Sequence, residues 1–235
     1  MKNILVLGTG GSAGINFVKS LELQEPSEYK IYGTDVDPFF IHLSECESFL
    51  IDLDKKEEQL DRIINDKKID FIHAQPDVEV KYLLENKDKY KDLIFNHNLD
   101  KWNLFSDKGR CQKIWQYELD LDFESISYDQ LTTNNFKYII KDSDKVWVRA
   151  NTGAGSKAAL PVNSYSQAVN WIQYWVENKQ MKPEDFIISE YLSGPEYAVQ
   201  IFWLNGKLIH SQARERLAYV FGNIMPSGQS STPSI

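Results

Sequence analysis

Asn3-Ile-Leu-Val-Leu-Gly8 is a continuous apolar run ending on glycine, the pattern of a parallel strand buried on both faces. Beyond Gly8-Thr-Gly-Gly-Ser-Ala-Gly14, apolar residues recur at Ile15, Phe17, Val18 and Leu21, a helical spacing. Lys30–Asp35 reads as a second strand, closing on Asp35 and Asp37 before Pro38, and Ser48–Asp52 as a short third. Leu60, Ile63 and Ile64 share one face of a helix over 55–66, Ile69–Ala74 is another strand, and Pro76 opens a polar helix. Strands alternating with helices predict an open, Rossmann-like α/β sheet over about the first 95 residues.

The pattern then changes. Asp100–Lys113 is polar and reads as a domain junction entering a helix, with Ser106 as its N-cap ahead of Asp107. A helix over 129–141 precedes a strand at 145–149, a glycine loop and a second strand at 157–162. Ser164–Asn178 is amphipathic through Val169, Ile172, Trp175 and Val176. Strands follow at 185–191 and 196–203, and Asn205-Gly206 is a favoured hairpin pair before a returning strand at 208–214. Trp147, Trp171, Trp175 and Trp203 read as core, and Pro226–Ile235 carries no core-forming pattern. The second half is therefore α+β with antiparallel strands.

Composition narrows the function classes. The 235 residues suffice for one large domain or two small ones. A net charge of −8 argues against general attraction to nucleic acid or an anionic membrane, though not against a local basic site. Cys46 and Cys111 are too few for a disulfide framework, and His42, His73, His97 and His210 are scattered, so no zinc set is expected. The N-terminal apolar run is broken by glycines and reads as neither signal peptide nor membrane span; a cytoplasmic protein is expected.

Two glycine turns compete for a ligand. The first, Gly8-x-Gly10 then Ala13 between strand and helix with Asp35 closing the next strand, is close to a dinucleotide fingerprint. A tight strand-to-helix turn needs glycines with or without a ligand, and no proton-donor pair follows. The second is Lys145-Val-Trp-Val-Arg-Ala-Asn-Thr-Gly-Ala-Gly-Ser-Lys157, a strand running through Arg149 into a loop with two glycines, two hydroxyls and a lysine. Successive backbone N–H groups and a cation suit a polyphosphate.

Four stretches place the second turn in context: Asp107-Lys108 at a helix start, the strand-Arg149-loop, Glu190-Tyr191-Leu192, and the acid Glu196. In these the chain resembles the ATP-grasp superfamily, and within it the carbamoyl phosphate synthetase large chain. The first 104 residues look like the domain that precedes ATP-grasp modules, 105–192 like the small subdomain with its glycine loop, and 193–235 like the beginning of the large subdomain. The resemblance implies an ATP-dependent carboxylate–amine ligase working through an acyl phosphate. It places Lys108 and Arg149 on the α- and β-phosphates, and Gly153, Gly155, Ser156 and Lys157 in a lid over the β- and γ-phosphates. Glu190 with the backbone of Tyr191 and Leu192 meets the adenine edge, and Glu196 the ribose. Most relatives carry lysine where Arg149 stands; an arginine fork grips two phosphate oxygens and keeps its charge.

Each of these residues also has a plain reading: Lys108 as a solvated helix-start lysine, Glu190 and Glu196 as surface acids, His210 as a packed strand residue. Arg214 and Arg216 lie where relatives carry substrate-side groups and are the weak candidates for catalysis. The family's Mg²⁺ ligands, an acid and then Glu-x-Asn, are expected beyond residue 235, with none in the chain. The expectation is thus a part of a longer protein, with a degenerate, non-catalytic nucleotide-binding relative as the alternative. An NAD(P)-dependent oxidoreductase using the Gly8–Gly14 turn is the competing class. Expected partners are ATP and a small carboxylate, with a homodimer as an option.

Overall fold

A computed structural model describes residues 1–23, 28–95, 98–121, 123–153, 158–219 and 229–231. The chain divides into two compact units, Met1–Asn103 and Leu104–Ile235.

The first unit contains β1 (Lys2–Leu7), α1 (Ser12–Glu22), β2 (Tyr29–Asp35), α2 (Pro38–Leu43), β3 (Glu47–Leu50), α3 (Lys56–Lys67), β4 (Phe71–Ala74), α4 (Asp77–Glu85) and α5 (Lys87–Tyr90). Its sheet has the order β3-β2-β1-β4 with every pairing parallel. The unbroken apolar run of β1 follows from burial on both faces. Leu5 and Leu7 pack with Leu60, Leu83 and Tyr90 on one side, while Ile4 and Val6 pack with Val18 on the other. Across the helices, Lys56 Nζ lies 2.7 Å from the buried Glu79 and 4.1 Å from the centre of the Tyr82 ring.

The second unit contains α6 (Leu99–Ser106, which carries the chain across the division), α7 (Lys108–Leu119), β5 (Ser125–Ser127), α8 (Thr133–Ile140), β6 (Val146–Ala150), β7 (Leu160–Val162), α9 (Tyr165–Lys179), β8 (Phe186–Glu190), β9 (Glu196–Leu204), β10 (Lys207–Tyr219) and β11 (Gln229–Ser231). One antiparallel sheet has the order β5-β8-β6-β7 and a second the order β11-β10-β9. Val146, Val148 and Ala150 alternate onto the same face as Phe186 and Ile188. There α8 and α9 cover them with Phe136, Ile139, Ala168 and Ile172. Serine and threonine caps start both helices, Ser164 accepting from Gln167 N–H and Thr132 from Asn135 N–H. The opposite face of this sheet carries Ser125, Ser127, Trp147, Arg149, Pro161, Ile187 and Ser189, by the same register.

Several expectations need correction. Asp107, not Ser106, caps α7: its carboxylate accepts from Arg110 N–H at 2.9 Å, while Ser106 closes α6. The tail does enter a sheet, since Gln229–Ser231 pairs with β10 as β11, backbone hydrogen bonding replacing the missing apolar pattern. Trp203 is half exposed rather than core, on a β9 face it shares with Tyr197, Val199 and Ile201. The hairpin at Asn205-Gly206 is present, with φ of +50° and +74°. Among the described residues no helix is long and apolar enough to cross a membrane.

Candidate functional site

The start of α7 and the strand end at β6 are built into one another. Lys108 N–H donates to Asn151 O at 3.0 Å, and Gly109 N–H donates to Asn151 Oδ1 at 2.8 Å. The Lys108 ammonium reaches Gly153 O at 2.7 Å and Asn151 O at 3.4 Å. Asn151 is itself fixed by its N–H to Asp185 O at 2.7 Å. Glycine at 109 lets the helix come this close: a Cβ there would lie 3.1 Å from Asn151 Oδ1 and 3.3 Å from Ile187 Cδ1. The loop's far end is held by Trp171 Nε1, which donates to the carbonyl of the buried Ala158 at 2.9 Å. Gly153 has φ of +93° and open space around it. Gly155, Ser156 and Lys157 lie outside the described residues.

Arg149 projects from the sheet face that α8 and α9 leave uncovered. It stands opposite Ile187 and two residues before Asn151, so it shares the side on which α7 begins. Its Nε is buried and has no hydrogen-bond partner among the described residues, and burial lowers the guanidinium pKa. A buried N–H without a partner costs about 1–3 kcal/mol, so the site is suited to an acceptor from outside the chain. Gln112, one helical turn beyond Gly109 and buried, likewise leaves Oε1 unpartnered. The α7 N-terminus adds its partial positive charge to those of Lys108 and Arg149. Two cations, a helix start and Gly153 thus lie on one side of one sheet.

Glu190 does not join them through its side chain. It pairs in register with Val146, on the core face, and its Oε2 lies 3.1 Å from Lys141 Nζ at the end of α8. The same oxygen accepts from Glu124 N–H at 3.4 Å, while Glu190 N–H donates to Glu124 O at 2.8 Å. The Glu190 carboxylate is therefore engaged in an ion pair behind the sheet. Ser189 and the main chain of Glu190–Leu192 are what this strand end offers to the Arg149 side. Beyond it Tyr191 packs 6.2 Å from the Trp147 ring and Leu192 is exposed.

Glu196 opens β9, half-buried and in register with Arg216. Arg214, also half-buried, donates from Nη2 to Gln212 Oε1 at 3.0 Å. The Arg216 side chain lies outside the described residues. His210 is exposed on its strand. Sequence reasoning passed over Asn151, Gln112 and Ser189. Strand parity is the signal that finds Ser189, since it is the residue of Ser189-Glu190 that shares a face with Trp147 and Arg149.

The N-terminal turn has a different character. A Cβ on Gly10 would lie 1.9 Å from Phe40 O, one on Gly14 2.3 Å from Gly8 O, and one on Gly8 2.4 Å from Pro76 Cδ. The Asp35 carboxylate accepts from the N–H groups of Gly10, Val36 and Asp37. Packing accounts for these glycines, and the acid is occupied by backbone.

No protein-family model matches the chain, and no curated protein matches it in sequence. Solved structures do. The biotin carboxylase domain of 2-oxoglutarate carboxylase from Hydrogenobacter thermophilus, solved with MgADP, ADP and bicarbonate, superposes with a TM-score of 0.64 at 14% identity, over 92% of this chain and 50% of that one. Carboxyaminoimidazole ribonucleotide synthase from Aspergillus clavatus, solved with ATP, gives 0.64 at 15% identity over 92% and 54%. L-amino acid ligase from Bacillus licheniformis gives 0.61 at 13% over 95% and 51%.

The fold is that of the ATP-grasp superfamily.

The likeness covers nearly all of this chain, which spans about half the length of those three. At such identities the ATP-grasp likeness is one of fold, and the chemistry rests on the residues above.

Proposed function

We propose that this chain holds ATP against the Arg149 face of the β5-β8-β6-β7 sheet, as part of an ATP-dependent carboxylate–amine ligase. The observation that carries the reading is the buried Arg149 Nε, without a hydrogen-bond partner among the described residues, on the same side of the sheet as the Lys108 ammonium and Gly153. Lys108 and Arg149 neutralise phosphate oxygens, and the α7 start supplies further donors. The main chain of Glu190–Leu192 meets the base edge, and Glu196 reaches toward the ribose. ATP supplies an activated phosphoryl group that turns a carboxylate into an acyl phosphate open to attack by an amine. This chain's part in that chemistry is positioning and charge neutralisation. Among the described residues no three His, Cys, Asp or Glu side chains gather as a metal set, so no step is assigned to Mg²⁺ here.

The solved relatives that carry ADP or ATP support a nucleotide in this fold. Arginine at 149 supports the closer resemblance to the carbamoyl phosphate synthetase large chain. Against the oxidoreductase reading stands the carbonyl of Phe40 where a pyrophosphate must approach Gly10. Calorimetric titrations with ATP and with NADPH separate the two. ATP binding that Arg149→Met abolishes is expected; binding of NADPH without ATP refutes the proposal.

A further inference from the structure

Lys141 follows α8 with φ 39° and ψ −133°. That is the conformation of the first central residue of a type II′ turn, a position glycine normally fills because a Cβ is strained there. The lysine side chain is half of the pair that holds Glu190, at 3.1 Å. Glu190 is the last residue of β8, two before Leu192, and its carboxylate also accepts from Glu124 N–H. Tyr138 on α8 donates to Glu124 Oε1 at 3.4 Å, so a second contact links the same helix to the residue whose main chain bonds Glu190. Phe186–Ser189 are buried as well as paired across the sheet; Glu190, paired with Val146 but only half-buried, has its side chain tied by this charged cluster.

We infer that Lys141 is a positioning residue: it acts through the Glu190 carboxylate, from behind the sheet, to fix the course of main-chain residues 190–192. The inference rests on the ATP reading of the Arg149 face and assigns the base-recognising strand end a dedicated clamp. The carboxylate gives its charge to the back of the sheet, and the main chain gives its hydrogen bonds to the front. A strained lysine is retained where glycine fits better because glycine has no ammonium to reach Glu190.

The test compares two ligands of the full chain, ATP and inorganic tripolyphosphate, by calorimetry. Lys141→Gly relieves the backbone and deletes the cation. Its expected signature is unfolding at an equal or higher temperature without ligand, and ATP binding weaker by roughly tenfold, the loss of about one hydrogen bond's worth of alignment. Tripolyphosphate binding, which uses Lys108 and Arg149 but no base edge, stays unchanged. Lys141→Met, which keeps the strained backbone, loses ATP affinity to the same extent, and Lys141→Arg restores it. Wild-type ATP affinity in Lys141→Gly overturns the inference, as does a parallel loss of both ligands. An Arg149→Met variant that binds ATP normally refutes the underlying site instead, so the two failures are told apart.

Discussion

Replacing Arg149 by methionine keeps an unbranched stem in the same space and removes the guanidinium. In the ligand-free chain the buried Nε lacks a partner among the described residues, and desolvation works against the charge. An unsatisfied buried donor costs about 1–3 kcal/mol; if half of the lower bound to the midpoint is recovered, the variant gains roughly 0.5–1 kcal/mol. For a unit of this size that raises the unfolding temperature by about 2–4 °C. With ATP the sign reverses, because hydrogen bonds to a charged group contribute about 1.5–3 kcal/mol each. Losing one or two of them weakens binding by roughly tenfold to ten-thousandfold. Thermal unfolding followed by intrinsic tryptophan fluorescence, with and without ATP, reads both effects on one sample. A variant less stable without ligand and stabilised by ATP as much as the parent would refute the reasoning. Arg149 would then be a structural strand residue whose partner lies within the chain.

Gly10→Ala places a Cβ 1.9 Å from the Phe40 carbonyl, a backbone atom that cannot step aside. The N-terminal unit should lose about 2–4 kcal/mol in urea unfolding, whereas ATP affinity per folded molecule should hold; a stable variant would show that the turn has room for a ligand. His73, stacked 3.8 Å from Phe17, has its imidazole pKa lowered by burial. The folded state therefore binds this proton less readily than the unfolded one, and stability present above pH about 6.5 declines as pH falls below it. Denaturant midpoints measured from pH 7.5 to 5 should fall less steeply in His73→Phe than in the parent; identical slopes would place the acid sensitivity elsewhere.

Much of this was legible in the sequence, for reasons that particular residues show. The apolar run of β1 reads as a doubly buried strand, and the fold buries it between Leu60 and Val18. Lys108 at a helix start and Arg149 before a glycine loop were local patterns, and the structure sets both on one side of the sheet. The hinge-like neighbourhood of Glu190 was legible, but the direction of its side chain was not, because that answers to strand parity and to Lys141, 49 residues away. Asn151 and Gln112 carry no local signal, since their importance comes from a helix meeting a strand. β11 was missed for a related reason: Gln229-Ser230-Ser231 has no apolar alternation, and only pairing with β10 makes it a strand.

The most direct measurement is a crystal structure of the chain grown with a non-hydrolysable ATP analogue. The account predicts the triphosphate within hydrogen-bonding distance of the Arg149 guanidinium and the Lys108 ammonium, with the base beside main-chain residues 190–192. A nucleotide seated at the Gly8–Gly14 turn, or on the helix-covered face of the β5-β8-β6-β7 sheet, would contradict it.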